Sequence, residues 1–219
     1  MDNNYTHILF ILDNSASMGS LKEDAIGGYN EFLKEQQKLD GKCKLDTLLF
    51  SEPDKYRYVQ RDADINSVKE LTNDIYTANG WSTALIDAIG RGINDLGEFL
   101  DTLDEDDKPA KVLVNIFTDG QENSSQEFTG QQVKKMIAEQ ENKYSWAFAF
   151  LASDLSSANY AKNHLGISNV AKTDNDGKGM RSMYSSVNEN ARSYRATGMT
   201  LSVQDAYDNA RNEEDEEKD

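Results

Sequence analysis

Ile8-Leu9-Phe10-Ile11-Leu12, followed without a break by Asp13-Asn14-Ser15-Ala16-Ser17-Met18-Gly19, is the stretch on which the fold turns. A strand with one wet face alternates apolar and polar residues, and this run does not. It reads as a strand buried on both faces, as in a parallel sheet covered by helices. Two other runs have the same character: Val112 to Phe117, broken only by Asn115, and Trp146 to Leu151. A last short strand is expected near Asn169 to Lys172.

Between these runs the apolar spacing changes to that of helices. Leu21, Ala25, Ile26, Tyr29, Phe32 and Leu33 form one stripe, with Ser20 and Glu23 expected as its capping box. Leu85, Ala88, Ile89, Ile93, Leu96 and Leu100 form a second. Val133, Met136 and Ile137 form a third, with Thr129 and Gln132 as its capping box. A fourth helix is expected from Ser156 to His164, stopping at Gly166, and a longer one from Gly179 to about Arg195. Lys44 to Phe50, the turn Ser51-Glu52-Pro53-Asp54 and Tyr56 to Val59 read as a hairpin ending in an edge strand. The order predicts an α/β fold: a doubly wound, Rossmann-like, mostly parallel six-stranded sheet with one antiparallel edge strand and helices on both faces. Residues 1–198 are read as one domain, and 199–219 as a short C-terminal helix and an acidic disordered tail. The charged run Asn212 to Asp219 is read as a solvated end before an interaction tail.

The 219-residue chain has room for one such domain with a sizeable core. Lys and Arg number 23 and Asp and Glu 39, a net charge of −16, so a phosphate backbone is a poor partner and nucleic-acid binding is not expected. Met1-Asp2-Asn3-Asn4 lacks the basic and apolar regions of a secretory signal, and no apolar run approaches a membrane span. The one cysteine, Cys43, excludes an internal disulfide. The expectation is a cytoplasmic protein that does not engage a membrane. His7 and His164 read as structural, and nothing near Cys43 suggests a reactive thiol.

Ligands of open α/β sheets bind beyond the carboxyl ends of the strands. Asp13 to Gly19 follow the first strand, and Thr118-Asp119-Gly120-Gln121-Glu122-Asn123 follow the fourth. Asn79-Gly80-Trp81-Ser82-Thr83 precede the middle helix. Brought to one edge, these loops offer two carboxylates and three hydroxyls: Asp13, Asp119, Ser15, Ser17 and Thr83. With no Cys or His, a soft or zinc-type set is disfavoured; hard oxygens with few charges suit Mg²⁺, with Mn²⁺ or Ca²⁺ as alternatives. Taken singly, Asp13, Ser17 and Thr83 also read as turn or helix caps. Glu122 and Asn123 read first as solvated loop residues, and Asp154 and Asn159 as remote from the rim.

Asp13-x-Ser15-x-Ser17 after a buried strand, Thr83 before a helix and Thr118-Asp119-Gly120 after another buried strand resemble the von Willebrand factor A (vWA) domain with its metal-ion-dependent adhesion site (MIDAS). The stretches Gly27 to Leu33, Thr83 to Gly90 and Thr118 to Phe128 are similar to a bacterial and phage-type subgroup. The resemblance runs from about Tyr5 to Arg195. It implies that Ser15 and Ser17 coordinate the ion directly, and that Thr83 does so in the ligand-bound state. Asp13 and Asp119 would act mostly through water, or one of them directly in the other state. The sixth position would be left for an acidic residue of a protein partner. The implied role is an interaction module, an adaptor or complex subunit, rather than an enzyme. Two departures stand out. Ala16 replaces the common glycine, which is tolerable if its φ is negative. Trp81 stands where the subgroup often has small residues, as a partner anchor or as packing under the loop.

The alternative is a metal-dependent phosphohydrolase with Asp13 as nucleophile. Ser15 stands where such an enzyme of the haloacid-dehalogenase type needs a second acid. A dinucleotide site fails, because no G-x-G-x-x-G follows the first strand.

Overall fold

In the computed structural model, backbone is described for residues 2–216 and side chains for residues 4–213. The strands are β1 (Asp2–Asp13), β2 (Cys43–Phe50), β3 (Tyr56–Asp64), β4 (Pro109–Thr118), β5 (Ala147–Ala152) and β6 (Asn169–Lys172). The helices are α1 (Lys22–Gln37), α2 (Leu85–Asp101), α3 (Gly130–Tyr144), α4 (Leu155–Tyr160), α5 (Gly177–Thr197) and α6 (Val203–Glu216). The sheet order is β3-β2-β1-β4-β5-β6, with β3 antiparallel to β2 and every other pair parallel. This is the expected doubly wound α/β sheet.

The alternation along β1 explains why its sequence is apolar throughout. Ile8, Phe10 and Leu12 face a core with Tyr29, Phe32 and Val187 from α1 and α5. Leu9 and Ile11 face a second core with Ile89, Ile93 and Val133 from α2 and α3. Both faces are dry, so no position on the strand can be polar without a buried partner. The glycine pair in α1 serves this packing. A Cβ on Gly28 would stand 2.1 Å from the ring of Tyr184 on α5, whereas one on Gly27 would meet nothing within 4 Å.

Several boundaries differ from the sequence reading. The Ser20–Glu23 capping box does not form: residues Ala16–Leu21 make a 3₁₀ helix, and α1 starts at Lys22 without a side-chain cap. Burial of Met18 and Leu21 pulls this segment into a tight turn, and Ser20 is inside it. The edge strand is longer than Tyr56 to Val59 because Asp46 reaches across from β2. Its Oδ1 accepts the N–H of Asp62 at 2.5 Å, which holds Asp62 at φ 47 and lets the strand continue past the irregularity. The Thr129–Gln132 capping box is present on α3. The fourth helix passes from α4 into a π-turn, Ala161–Leu165, and ends on Gly166 at φ 78. The last helix reaches Glu216, so the acidic run from Asn212 begins as helix, and residues 217–219 lie outside the described ones. Helix α6 covers the β6 edge, where Gln204 Oε1 accepts the N–H of Lys172 at 2.8 Å. Among the described residues no helix is long and apolar enough to cross a membrane.

The sheet order reverses at β1 and β4. The helix after β1 leads away to β2 and the one after β4 leads away to β5, opening a crevice at the carboxyl ends of these two central strands. Asp13 ends β1, and Asp119 directly follows β4.

Candidate metal centre

The three loops meet in that crevice. Asp13 Oδ1 accepts the N–H of Ser15 at 2.8 Å, which turns the backbone back over Asp13. The Ser15 and Ser17 hydroxyls lie 3.0 Å apart, and Ser17 Oγ donates to Asp119 Oδ1 at 2.7 Å. Thr83 arrives from the third loop. A Cβ built on Gly120 would stand 3.4 Å from Thr83 Oγ1 and 3.8 Å from Ser17 Oγ, so both hydroxyls border the space that this glycine leaves open. All five residues singled out in the sequence are thus neighbours. Ala16 is not among the described non-glycine residues with positive φ, so it occupies the glycine position without strain.

The third loop is stitched to the first by backbone. Ala16 N–H donates to Gly80 O at 2.7 Å and Gly80 N–H to Asn14 O at 3.1 Å. A Cβ on Gly80 would stand 2.1 Å from Ser51 Cβ, which explains the glycine. Asn14 Oδ1 accepts the N–H groups of Thr77 and Ala78 at 3.0 and 2.7 Å, and Tyr76 OH donates to Asp13 O at 2.6 Å. Thr83 is not a helix cap, since α2 is preceded by Ala84 with no side-chain cap. Instead its N–H donates to Asn123 Oδ1 at 2.9 Å.

Two carboxyls in one crevice disfavour each other's charged form. The Asp13 carboxyl is pushed up to about 6, first by burial and to a lesser degree by the charge of Asp119; hydrogen bonds from Thr118 and Ser15 oppose this. Asp119 is also raised, by burial and by the charge of Asp154, against the pull of Ser17. No Lys, Arg or His is among these leading contributions. Hydroxyls and carboxylates around a gap fit a hard divalent ion. Among the described residues there is no cluster of three His, Cys, Asp or Glu side chains, so the donor set relies on hydroxyls.

Sequence reading missed the residues that hold these donors. Thr118 Oγ1 donates to Asp13 Oδ2 at 2.6 Å, so both oxygens of Asp13 are engaged. Ser153 Oγ and Ser157 Oγ donate to Asp119 O and Gly120 O at 3.1 and 3.0 Å. Glu122 is no solvated loop residue: its oxygens accept Ser124 N–H, Ser125 N–H and Ile86 N–H at 2.9, 2.7 and 2.9 Å. Asp87, 1% exposed in the first turn of α2, accepts three more N–H groups, from Gln126, Glu127 and Phe128, at 2.8, 2.9 and 2.9 Å. Asp154 caps α4 through Ser157 N–H. Trp81 does not pack under the loop; it is 92% exposed. Far from the crevice, His7 is buried between Tyr5 and Asp46, and burial pushes the Cys43 thiol up to about 11, away from thiolate chemistry.

This sheet, with its crevice over β1 and β4, defines a vWA-like fold. Solved structures of proximal thread matrix protein 1 from the mussel byssus share it. One, in a second crystal form, has a TM-score of 0.58 at 15% identity, over 82% of this chain and 46% of that one. Another, with a zinc-occupied MIDAS motif, has a TM-score of 0.54 at 15% identity over the same shares. At that identity the likeness is one of fold, and this chain spans less than half the length of that protein's. No protein-family model and no curated protein matches the chain.

Proposed function

We propose that the protein is a metal-dependent protein-interaction module whose ion, Mg²⁺, takes a carboxylate from a partner. Ser15, Ser17 and Thr83 would hold the ion through neutral oxygens, and Asp13 and Asp119 would supply the balancing charge from behind. Few direct carboxylates leave a bound ion with much of its positive charge, which is what attracts an acidic side chain. The observation that carries this reading is the chain of oxygens in which the Ser17 hydroxyl meets those of Ser15 and Asp119 and, with Thr83 Oγ1, borders the space left open at Gly120. The fold-level likeness to a protein with a zinc-occupied MIDAS motif supports a metal in this crevice. Mg²⁺ is preferred to Zn²⁺ because every donor is a hard oxygen, with Mn²⁺ or Ca²⁺ as alternatives. The position of Asp13 speaks against a nucleophile. It is 0% exposed, and both its oxygens accept hydrogen bonds, which favours a holding role over that of a nucleophile.

Titration calorimetry with Mg²⁺ on wild type, Asp13→Ala and Ser15→Ala tests the site. Wild type should bind one ion. Each variant should lose about tenfold or more in affinity, with an unchanged far-ultraviolet circular dichroism spectrum. A pull-down with and without Mg²⁺ should then retain a partner on wild type alone. Equal Mg²⁺ affinity in all three proteins would sink the proposal.

A further inference from the structure

Among the described residues Trp81 is the most exposed of the large apolar side chains, 92% open to water. Its backbone is not loose. The Trp81 N–H donates to Glu52 Oε1 at 3.0 Å, and Glu52 Oε2 accepts the Ser51 hydroxyl at 2.6 Å. On one side Gly80 is bridged to Ser15, and on the other Thr83 is buried at the metal centre. The indole therefore stands on a segment fixed at both ends, with its apolar area left uncovered.

Beside it lies a cleft of about 460 Å³, bordered by Asn14, Gly80, Trp81 and, on the edge strand, Tyr56. That volume falls within the range of small ligand pockets. Tyr56 is 42% exposed, with the Arg91 guanidinium 4.0 Å from its ring centre. Arg91 is itself held, donating to Pro53 O at 2.7 Å. The cleft's charges cancel: Glu52 and Asp54 against Lys55 and Arg57. Glu52 is further committed to its hydrogen bonds. With two acids and two bases on its border the cleft has no excess of one sign there, and the two rings are what it adds for recognition. Trp81 and Thr83 are two residues apart, so about 7 Å separates their Cα atoms at most. A partner chain covers that span in two extended residues.

We propose that Trp81 and Tyr56 clamp a large apolar or aromatic side chain of the partner within two residues of the carboxylate on the metal. The site then reads an acidic–apolar sequence rather than an acid alone. This rests on the metal-dependent reading above.

A displayed random-peptide library, selected on the protein in millimolar Mg²⁺ and eluted with EDTA, tests both levels separately. Wild type should enrich an Asp or Glu with Phe, Trp, Tyr, Leu, Ile or Met within two positions. Trp81→Ala should still enrich the acid but lose the apolar preference. It should also bind the wild-type consensus peptide about ten- to a hundredfold more weakly. Acrylamide quenching of wild-type fluorescence should fall when that peptide binds, because the second tryptophan, Trp146, is only 6% exposed and already shielded. An acid-only consensus, or the same acidic–apolar consensus on Trp81→Ala, would overturn the clamp and leave the metal reading standing. Enrichment that EDTA does not release, or none at all, would overturn both. Mg²⁺-dependent dimerisation abolished by Trp81→Ala would assign the cleft to a second copy of the chain, and would overturn the peptide clamp.

Discussion

Replacing Asp87 with alanine asks whether the loop after Asp119 is held by buried carboxylates or by its own turn geometry. Asp87 accepts the N–H groups of Gln126, Glu127 and Phe128 at 2.8, 2.9 and 2.9 Å while 1% exposed. A hydrogen bond to a charged group contributes about 1.5–3 kcal/mol, so three set an upper bound near 4.5–9 kcal/mol. Gln126 and Glu127 are exposed, and their freed N–H groups can turn to water. That leaves an expected loss of about 2–4 kcal/mol, most of it in local opening of the loop. Hydrogen exchange read by mass spectrometry is the assay. The amides of residues 126–128 should exchange about 30- to 1,000-fold faster in Asp87→Ala. Amides of β1 should change much less, because the sheet keeps its contacts. Mg²⁺ affinity should fall as well, since the same loop fixes Asn123 on the Thr83 N–H. Exchange at 126–128 within about twofold of wild type would refute the reasoning: the turn would then be self-supporting.

Two further outcomes are expected. In the metal-free protein the raised Asp13 carboxyl means that the folded chain holds its proton more tightly than the unfolded chain. Its contribution to stability is therefore lost as pH rises from about 4 through about 6, an unfavourable term of roughly 3 kcal/mol at neutral pH. Urea unfolding of wild type against Asp13→Asn should show the variant more stable at neutral pH and the gap closing near pH 4, with saturating Mg²⁺ reversing the neutral-pH order; a gap independent of pH would refute it. Gly28→Ala should cost about 1–3 kcal/mol, because its Cβ would meet the buried Tyr184 ring that stacks on Phe10. Gly27→Ala on the open face of the same helix should be neutral or slightly stabilising, and equal melting temperatures for the two variants would show that α1 and α5 are not in close contact there.

Much of the molecule is legible in its residues because the signals are local. The apolar runs of β1, β4 and β5 mark two-sided burial, and the helical stripes mark one-sided burial. The Thr129–Gln132 box depends only on residues three apart. The candidate ligands were legible too, since Asp13, Ser15 and Ser17 alternate along a few residues of one loop. The failures have a common cause. The Ser20 box gave way to the burial of Met18 and Leu21. The length of β3 depended on Asp46, a residue of another strand. Asp87 and Glu122 look like ordinary polar residues, and Thr118 is a motif residue with no stated contact, until the fold brings their partners within reach.

By itself the chain's pattern of apolar runs and oxygen-bearing loops determined a doubly wound sheet with hydroxyls and carboxylates at the ends of its strands. The reason is that strand burial and loop chemistry are written in consecutive residues. Only the tertiary structure decided that these loops share one crevice, that Asp13 is sealed behind Ser15 and Thr118, and that Trp81 points to water. Those facts depend on residues more than 60 positions apart meeting at the β1–β4 switch point, as Asn14 does with Thr77 (63 apart) and Ser17 with Asp119 (102 apart). No local sequence signal carries a distance of that kind.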